Sequence, residues 1–488
     1  MLLESFHTVP GGYMNSETAL TYKNAIDNYI EEHREPFLAQ LSELCRINSE
    51  KAQPQEGMPY GAGAAECLAA ALNMAEESGF EVRNYDGYVG TVDLNSTLPA
   101  RLDILAHLDV VPAGSGWTET EPFSPLVKDG RIYGRGTSDD KGPAIAVLYA
   151  MQAVKELGIP LRGNVRLILG TDEECGSSDI AYYYSKEKEA PMTFSPDAEF
   201  PVVNIEKGRF HGRLFKKFRE SSGGSEIVAA GAGIKVNVVP ANAQALIRGI
   251  PADEISKACD RACTETEVNF MSEEREDGIL VSAAGKGAHA STPEDGNNAL
   301  TGLLVFLAKL PFENIEQISA VKELLSFFPH GDVNGTALGL DMSDEISGRF
   351  TSAISILEMD PAGISAEFDC RIPVCGDNSG VPDIIREKVG AAGFTLEAEA
   401  YSKAHHVPGD SDFVRTLLAS YETFTGEKGE CIAMGGGTYV HDLEHGVAFG
   451  AIMPGTDTHM HGPDEFAVID ELITAAKIYA LAIIQLCG

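Results

Sequence analysis

The sequence predicts an α/β fold in which a mostly parallel sheet carries helices on both faces and is interrupted by an inserted α+β domain. Three observations predict this fold. Short apolar runs alternate with amphipathic helical segments before residue 205, which is typical of a parallel sheet covered by helices. The pattern then changes to β-like runs and glycine-rich turns, and helical segments return after about residue 400. The chain of 488 residues is also too long for one ordinary domain.

Most elements of the first domain are predicted from apolar periodicity. A helix is predicted over 22–47, where Pro36 is expected to kink or split it, and a second helix over 61–79. Strands and helices then alternate as follows: strand 102–106, helix 143–157, strand 165–169 and a helix near 177–185. Helices are also predicted at 253–270, 297–309, Asp412–Thr425 and Ile469–Leu486. We therefore expect one domain from residues 1–206 and 403–488, with the insertion at 207–402.

Composition excludes several classes of protein. A net charge of −36 argues against nucleic acid as a partner, because phosphates would not be neutralised, and it disfavours anionic membranes. The apolar run at 475–486 contains Lys477 and is too short to span a bilayer. Nine scattered cysteines without a CxxC pair indicate free thiols in a reducing compartment. No basic region followed by an apolar run opens the chain, so a cytoplasmic protein is expected.

Polar side chains follow two predicted strands. His107 and Asp109 come after the first strand, and Glu173 and Glu174 after the second. Open α/β sheets place their active sites beyond the carboxyl ends of such strands. In His107-x-Asp109 the aspartate can hold the far nitrogen of the imidazole. Taken alone, this motif is more often a turn or a core histidine, and adjacent glutamates are often a solvated surface.

Three further residues extend this set. Asp139 lies in a glycine-rich turn before a predicted helix; alone it would be an N-cap, but among the others it is a candidate carboxylate bridging two cations. Asp197 and His461 complete a set of oxygen and nitrogen ligands that suits Zn²⁺, Mn²⁺ or Co²⁺. One of the adjacent glutamates can bind metal while the other acts as general base on a metal-bound water.

These motifs together resemble the M20 metallopeptidase family, and especially its bacterial dipeptidase branch of the PepV type, which cleaves Xaa-His and β-Ala-Xaa dipeptides. The resemblance covers nearly the whole chain. It rests on His107-x-Asp109, Tyr133–Pro143, Glu173-Glu174, Ser195–Pro201 and His461. It implies a catalytic domain interrupted by a lid domain, and two divalent metal ions, with Zn²⁺ the first choice and Mn²⁺ or Co²⁺ the alternatives.

The resemblance also implies a role for each residue. The implied ligands are His107, Asp139 and Asp197 for metal one, and Asp139, Glu174 and His461 for metal two. Asp109 would orient His107, and Glu173 would act as base and proton shuttle. The peptide bond between Asp139 and Asp140 would be cis.

The inserted region carries three residues that match the lid of these dipeptidases. The resemblance implies that His289 supports the oxyanion of the tetrahedral intermediate, and that Asn237 and Arg371 help to hold the C-terminal carboxylate of the substrate. Taken singly, Asn237 would be a turn former, His289 a polar core residue and Arg371 one half of a surface ion pair. With the metal motifs present, we interpret all three as functional.

The stretch from Gly435 to Tyr439 resembles a glycine loop that offers backbone N–H groups to a carboxylate. Gly436, Gly437 and Thr438 are therefore candidate substrate-binding residues. Val440 and His441 follow where related dipeptidases often have Gly or Ala and then Arg, so the sequence departs from the pattern at this point.

The resemblance implies hydrolysis of dipeptides by metal-activated water, with Glu173 as general base. The main alternative is a deacylase of the same family acting on N-acyl amino acids or succinyl-diaminopimelate. A non-catalytic binding protein is disfavoured, because Glu173 and Asp139 are both present. The insertion is longer than the lid of the simple dimeric members, which borrow the lid histidine from a partner, so a monomer is expected.

Overall fold

The computed structural model describes residues 16–219, 224–313 and 315–488. The chain forms two compact units. Unit 1 contains the described residues up to Asn204, together with Val407–Ile432 and Gly437–Gly488, and unit 2 contains the described residues of Ile205–His406 with Ala433–Gly436.

Helices and strands follow one another along both units. The helices are α1 (Ser16–Glu32), α2 (Arg34–Cys45), α3 (Ala62–Glu77), α4 (Lys141–Glu156), α5 (Ser178–Tyr184), α6 (Ala252–Thr266), α7 (Ala299–Ala308), α8 (Ile315–Phe327), α9 (Val381–Ala391), α10 (Asp412–Thr425) and α11 (Ile469–Cys487). The strands up to the end of unit 1's first segment are β1 (Glu81–Tyr85), β2 (Val89–Asp93), β3 (Ala100–His107), β4 (Leu126–Lys128), β5 (Arg131–Tyr133), β6 (Asn164–Gly170), β7 (Thr193–Ser195), β8 (Ala198–Glu199) and β9 (Val202–Glu206). The later strands are β10 (Gly208–Lys217), β11 (Glu226–Ala232), β12 (Val238–Val239), β13 (Asn242–Arg248), β14 (Asn269–Arg275), β15 (Gly278–Ala284), β16 (Ala288–His289), β17 (Ser343–Asp344), β18 (Gly348–Arg349), β19 (Thr351–Asp360), β20 (Gly363–Ile372), β21 (Thr395–Ser402), β22 (His405–His406), β23 (Cys431–Met434), β24 (Gly446–Ala448), β25 (Ala451–Ile452) and β26 (Phe466–Val468).

Helix boundaries follow local chemistry. The first predicted helix is split at His33, and Pro36 lies in the first turn of α2, where the missing N–H of proline costs little. Helix α10 begins after Ser411, whose hydroxyl accepts the N–H of Val414, as an N-cap should. Helix α6 ends at Thr266, where the predicted helix continues to 270 and is therefore too long; Glu267 takes a left-handed conformation, and β14 follows.

The sheet of unit 1 has the strand order β1-β2-β6-β3-β7-β24-β9. Strand β3 pairs in parallel with β6 and β7, and β7 pairs in parallel with β24. The flanking pairs β1–β2, β2–β6 and β24–β9 are antiparallel. The predicted α/β class is confirmed, with the parallel strands at the centre of the sheet.

Helices cover both faces of this sheet. Successive side chains of a strand point to opposite faces, and in the central strands they enter two different hydrophobic clusters. Ile104 of β3 is buried in the core formed with α1, α2, α3, α4, α10 and α11, whereas Leu105 is buried in a second cluster that contains Ile180 and Tyr183 of α5. In β6, Leu167 belongs to the first core and the next residue to the second. The central strands are therefore buried on both sides, and their polar residues lie at the strand ends.

Unit 2 is built on an antiparallel sheet with the order β14-β15-β13-β11-β19-β20-β10-β21. Its core includes residues of α6, α7, α8 and α9, as expected for an α+β insertion. All nine cysteines of the chain are free thiols. Over the described ranges, no helix is both long and apolar enough to cross a membrane.

Candidate metal centre

The ligand-type side chains of unit 1 gather at the carboxyl ends of its parallel strands. His107 is the last residue of β3, Glu173 and Glu174 form a short 3₁₀ turn after β6, and Asp197 follows β7. Parallel neighbours end at the same edge of a sheet, so the topology brings these segments together. Asp139 lies in the turn before α4, and the peptide bond between Asp139 and Asp140 is cis.

The imidazole of His107 is fixed on both nitrogens. Its Nε2 lies 2.9 Å from Asp139 Oδ1 and 3.6 Å from Asp197 Oδ2. Its Nδ1 lies 3.0 Å from the main-chain oxygen of Asp109 and 3.5 Å from the Asp109 carboxylate. Hydrogen bonding at Nδ1 fixes the orientation of the ring and leaves Nε2 facing the carboxylates.

The carboxylate of Asp109 has a further task that its motif does not indicate. It accepts the backbone N–H of Glu173 at 3.2 Å and that of Glu174 at 3.1 Å. Asp109 thus joins the end of β3 to the turn after β6, which fixes the two glutamates relative to His107.

Asp139 lies between two histidines. Its Oδ1 faces His107, and its Oδ2 lies 2.8 Å from Nε2 of His461. The same nitrogen of His461 lies 3.2 Å from Glu174 Oε1. A carboxylate with one oxygen toward each imidazole has the arrangement of a bridging ligand.

Two groups of residues place ligand atoms within 4.8 Å of one another. The groups are His107 with Asp139 and Glu174, and His107 with Glu173 and Asp197. Each group differs by one residue from a ligand set that the resemblance implies. The group with Asp197 contains Glu173 where the set for metal one has Asp139. The group with Glu174 contains His107 where the set for metal two has His461. The six residues nevertheless form one continuous cluster.

The electrostatics of this cluster fit cations. Burial raises the pKa of Glu173 to about 8 and that of Asp197 well above its usual range, and the charge of Asp139 adds to the rise at Asp197. Burial would lower the pKa of His461, but hydrogen bonds to Asp139 and Glu174 raise it to about 10. Buried carboxylates that crowd one another are costly unless positive charge compensates them. The donor set therefore suits divalent metal ions.

Three residues of this region are absent from the sequence-based site. The side chain of Asp140 accepts the backbone N–H of His107 at 3.1 Å, while Arg135 and Glu465 form a buried ion pair beside the Asp139 turn. The only sequence signals were their positions within the motifs around Asp139 and His461.

The predicted lid residues lie in unit 2. The backbone N–H of Ala290 donates to the carbonyl oxygen of Asn237 at 2.9 Å, and β12 pairs with β16 next to it, so Asn237 and His289 are neighbours. The Nδ1 atom of His289 lies 2.6 Å from the hydroxyl of Ser291. The two motifs are distant in sequence but meet in a short antiparallel pair of strands, β12 and β16.

Arg371 is held by its own strand. Its guanidinium makes two hydrogen bonds to the carboxylate of Asp369, at 2.7 and 2.8 Å, and donates a third to the carbonyl oxygen of Gly435. Asp369 also pairs with His211 at 2.8 Å. The structure therefore brings Arg371 to the start of the glycine loop within unit 2, with an orientation fixed by a buried carboxylate.

The rest of the glycine loop enters a 3₁₀ turn in unit 1. Thr438 caps this turn by accepting the N–H of Val440, and Val440 is fully buried beside Tyr439 and Leu443. The departure at Val440 thus has a packing reason, because the side chain fills the second core of unit 1. No role in contacting substrate follows for it.

An α/β sheet that gathers imidazoles and carboxylates at the ends of its strands defines a metallohydrolase-type protein. The chain belongs to Peptidase family M20/M25/M40, whose model matches residues 104–485. It is therefore a peptidase, and the predicted resemblance is confirmed. The family implies divalent metal ions, and the cluster described above fits them.

Relatives of known name support this placement. The Beta-Ala-Xaa dipeptidase of Lactobacillus delbrueckii subsp. lactis is 34% identical over 463 residues, which cover 93% of this chain and 97% of the relative. The structure of human carnosine dipeptidase 1 is similar with a TM-score of 0.57 at 16% identity, over 95% of this chain and 98% of that chain. The di-peptidase Dug1p from Saccharomyces cerevisiae gives a TM-score of 0.58 at 13% identity, with the same coverage. At these identities the two structures show the fold alone.

Proposed function

We propose that this M20 peptidase hydrolyses dipeptides and that it uses two divalent metal ions, Zn²⁺ before Mn²⁺ or Co²⁺. The observation that carries the proposal is the position of Asp139, whose two oxygens face His107 and His461. The name of a relative that is 34% identical over nearly the whole chain, a Beta-Ala-Xaa dipeptidase, supports dipeptides as the substrate class.

We assign the ligands as the family resemblance implies. Metal one would be held by His107, Asp139 and Asp197, and metal two by Asp139, Glu174 and His461. Bound metal ions would polarise the scissile carbonyl and supply a nucleophile from water near neutral pH. Asp109 would keep the His107 ring in place through Nδ1, so that Nε2 remains available as a ligand.

Glu173 would be the general base. Its carboxyl belongs to the cluster with His107 and Asp197, and its turn is fixed by the N–H bond to Asp109. Burial raises the pKa of Glu173 above its usual range, which makes this carboxylate a stronger proton acceptor than an exposed glutamate. It would take a proton from the attacking water and give it to the leaving amine.

The roles in unit 2 and in the glycine loop are proposed on the same resemblance. His289 would stabilise the oxyanion, while Asn237 and Arg371 would hold the C-terminal carboxylate of the dipeptide. Gly436, Gly437 and Thr438 would add backbone N–H groups to that carboxylate. We further propose that the protein is monomeric and cytoplasmic; the nine free thiols support a reducing compartment.

A substrate panel tests the activity. Metal-stripped protein is refilled with Zn²⁺, Mn²⁺ or Co²⁺ and assayed on Ala-His, β-Ala-His, Leu-Leu, and N-acetyl and N-succinyl amino acids. Cleavage of the dipeptides is expected, and cleavage of the acylated amino acids alone would identify a deacylase instead.

The base is tested by Glu173→Gln. Loss of a general base typically costs about 10²–10⁴ in rate, so kcat should fall by that factor while both metal ions are retained. Glu77→Gln, an exposed change at the end of α3, is the matched control and should leave kcat unchanged. Full activity of Glu173→Gln would reject the assignment.

A further inference from the structure

We propose that Glu465 and Arg135 form a buried clamp that positions the metal ligands Asp139 and His461 and thereby sets the affinity for metal. The inference rests on the proposed function in one respect, since it takes these two residues as ligands. Glu465 and Arg135 would be positioning residues, because their hydrogen bonds hold the backbone around the ligands and not the ligand atoms themselves.

Glu465 holds the turn that leads to Asp139. Its Oε1 accepts the backbone N–H groups of Gly136 and Ser138, both at 3.0 Å, and the hydroxyl of Ser138 at 3.1 Å. Its main-chain oxygen accepts the N–H of Gly134 at 2.9 Å. The residue after this set of contacts is Asp139, so the fully buried carboxylate of Glu465 fixes the backbone from which Asp139 projects.

Arg135 extends the clamp to two other segments. Its Nη1 pairs with Glu465 Oε2 at 2.5 Å, and its Nη2 donates to the carbonyl oxygens of Gly462 at 3.2 Å and Pro112 at 3.4 Å. Gly462 directly follows His461, and Pro112 lies in the loop that follows Asp109. One guanidinium therefore ties together the segments that carry three parts of the metal centre.

The segment around His461 needs such support. His459, His461 and Asp464 all have φ between 55° and 62°, a left-handed conformation that costs residues other than glycine free energy, which neighbouring contacts offset. The side chain of His461 is 49% exposed, so packing around the ring does not supply that hold. The contacts of Glu465 and Arg135 do, together with Asp464, whose carboxylate accepts the N–H groups of Thr118 and Glu119.

These contacts give Glu465 a role that a neutral side chain of equal size cannot fill. Oε1 and Oε2 both accept, whereas glutamine has an amide NH₂ in place of one oxygen. In Glu465→Gln the amide would therefore face either Arg135 or the N–H groups of the Asp139 turn. One half of the clamp must open, and the ligands lose their fixed spacing.

The test measures metal affinity, which does not depend on hydrolysis. Metal-stripped protein is titrated with Zn²⁺ and with Co²⁺ in competition with a chromophoric chelator. Glu465→Gln should weaken binding about 10- to 100-fold, the usual effect of removing the support of a ligand. Arg135→Lys, which keeps the charge but cannot reach Glu465 and Gly462 together, should weaken it to a smaller extent. Arg166→Lys is the matched control, because it replaces the two-bond contact of a buried guanidinium with Asp103 in the same unit by a single ammonium contact, away from the ligands. The metal affinity of this control should match that of the parent.

Trp117 provides a second readout. It is the single tryptophan of the chain, and the Arg135 guanidinium lies 5.5 Å from the centre of its ring. Its emission should change in Arg135→Lys, which removes the guanidinium from beside the ring, and stay unchanged in Arg166→Lys.

The outcomes separate this inference from the proposed function. Parent-like affinity in Glu465→Gln, or equal weakening in the Arg166→Lys control, overturns the clamp even if the protein cleaves dipeptides. Weakening confined to the two clamp variants supports it even if no dipeptide is cleaved. Should Glu465→Gln fail to fold by circular dichroism, the affinity of Arg135→Lys relative to the control decides the question.

Discussion

Tyr439→Phe should destabilise unit 1, and more so at pH 8 than at pH 5. The hydroxyl of Tyr439 donates to Asp179 Oδ2 at 2.6 Å inside the second core. Asp179 also accepts the N–H groups of Thr171 and Asp172, at 2.6 and 3.0 Å. A hydrogen bond to a buried charged group contributes about 1.5–3 kcal/mol, against about 0.5–1.5 kcal/mol for a neutral pair. The expected loss is therefore about 1.5–3 kcal/mol when Asp179 is ionised.

The pH dependence follows from the pKa of Asp179. Burial raises this pKa to about 6, although the bond from Tyr439 lowers it, so the carboxyl is more basic in the folded than in the unfolded protein. Such a group contributes stability below its unfolded pKa, about 3.9, and that contribution is lost as pH rises toward the folded value. Removing the hydroxyl raises the folded pKa further, so the variant continues to lose stability above pH 6 where the parent does not.

Tyr479→Phe supplies the matched control. The Tyr479 ring is fully buried in the other core, and no described residue hydrogen-bonds its hydroxyl. Removal of that hydroxyl should cost nothing or stabilise slightly. Urea unfolding at pH 5 and pH 8, followed by circular dichroism at one fixed metal concentration, measures both variants. Equal losses for the two variants, or a loss for Tyr439→Phe that is the same at both pH values, would refute the reasoning.

Two further predictions concern backbone space and capping. Gly170→Ala should prevent unit 1 from folding normally, because a Cβ at Gly170 would overlap the Tyr439 hydroxyl and the Asp179 carboxylate; a melting temperature within about 2 °C of the parent would contradict this, since 1 kcal/mol shifts the midpoint by about 2–4 °C. Asn298→Ala should destabilise unit 2 by about 1–2 kcal/mol, because the Asn298 side chain accepts two N–H groups at the start of α7; urea unfolding followed by circular dichroism measures this loss, and an unchanged midpoint would show that the cap is dispensable.

Much of the site could be predicted because its chemistry lies at strand ends. The apolar runs of β3 and β6 are buried on both faces. Because these strands are parallel neighbours, the polar residues that follow them lie at the same edge of the sheet. Helices α8 and α9 were not predicted, and the helix predicted at 253–270 ran into β14. Residues of α8 and α9 pack in the core of unit 2. The apolar periodicity of the sequence alone does not identify these tertiary contacts.

Residues that act through another residue were invisible to the sequence. Glu465 looks like any acidic residue after a Gly-Pro turn, and its function as an acceptor for the Asp139 turn depends on chain segments more than 300 residues apart. Val440 could be seen as a departure from the family pattern, but not as a core residue. In both cases the deciding partners come from distant segments of the chain, which no local spacing identifies.

The ligand cluster itself should be a source of instability that metal binding relieves. Asp197 is partly buried, and desolvation together with the like charge of Asp139 raises its pKa well above the usual range. Folding at neutral pH therefore costs free energy at this position, and the cost grows as pH rises from the unfolded pKa of about 3.9. Asp197→Asn removes the cost, so without metal the variant should melt higher than the parent, and the difference should be larger at pH 8 than at pH 5.

Metal should reverse that order. A ligand present at 100 times its dissociation constant stabilises the folded state by about 2.7 kcal/mol, and Asp197→Asn would forfeit most of this by removing a charged ligand. The parent should then melt higher than the variant with saturating Zn²⁺ and lower with a chelator, as scanning calorimetry can measure. If Asp197→Asn melts below the parent with the chelator, the Asp197 carboxylate stabilises the metal-free fold and the reasoning from its pKa is wrong. If Zn²⁺ raises the melting temperatures of variant and parent equally, Asp197 does not bind the metal.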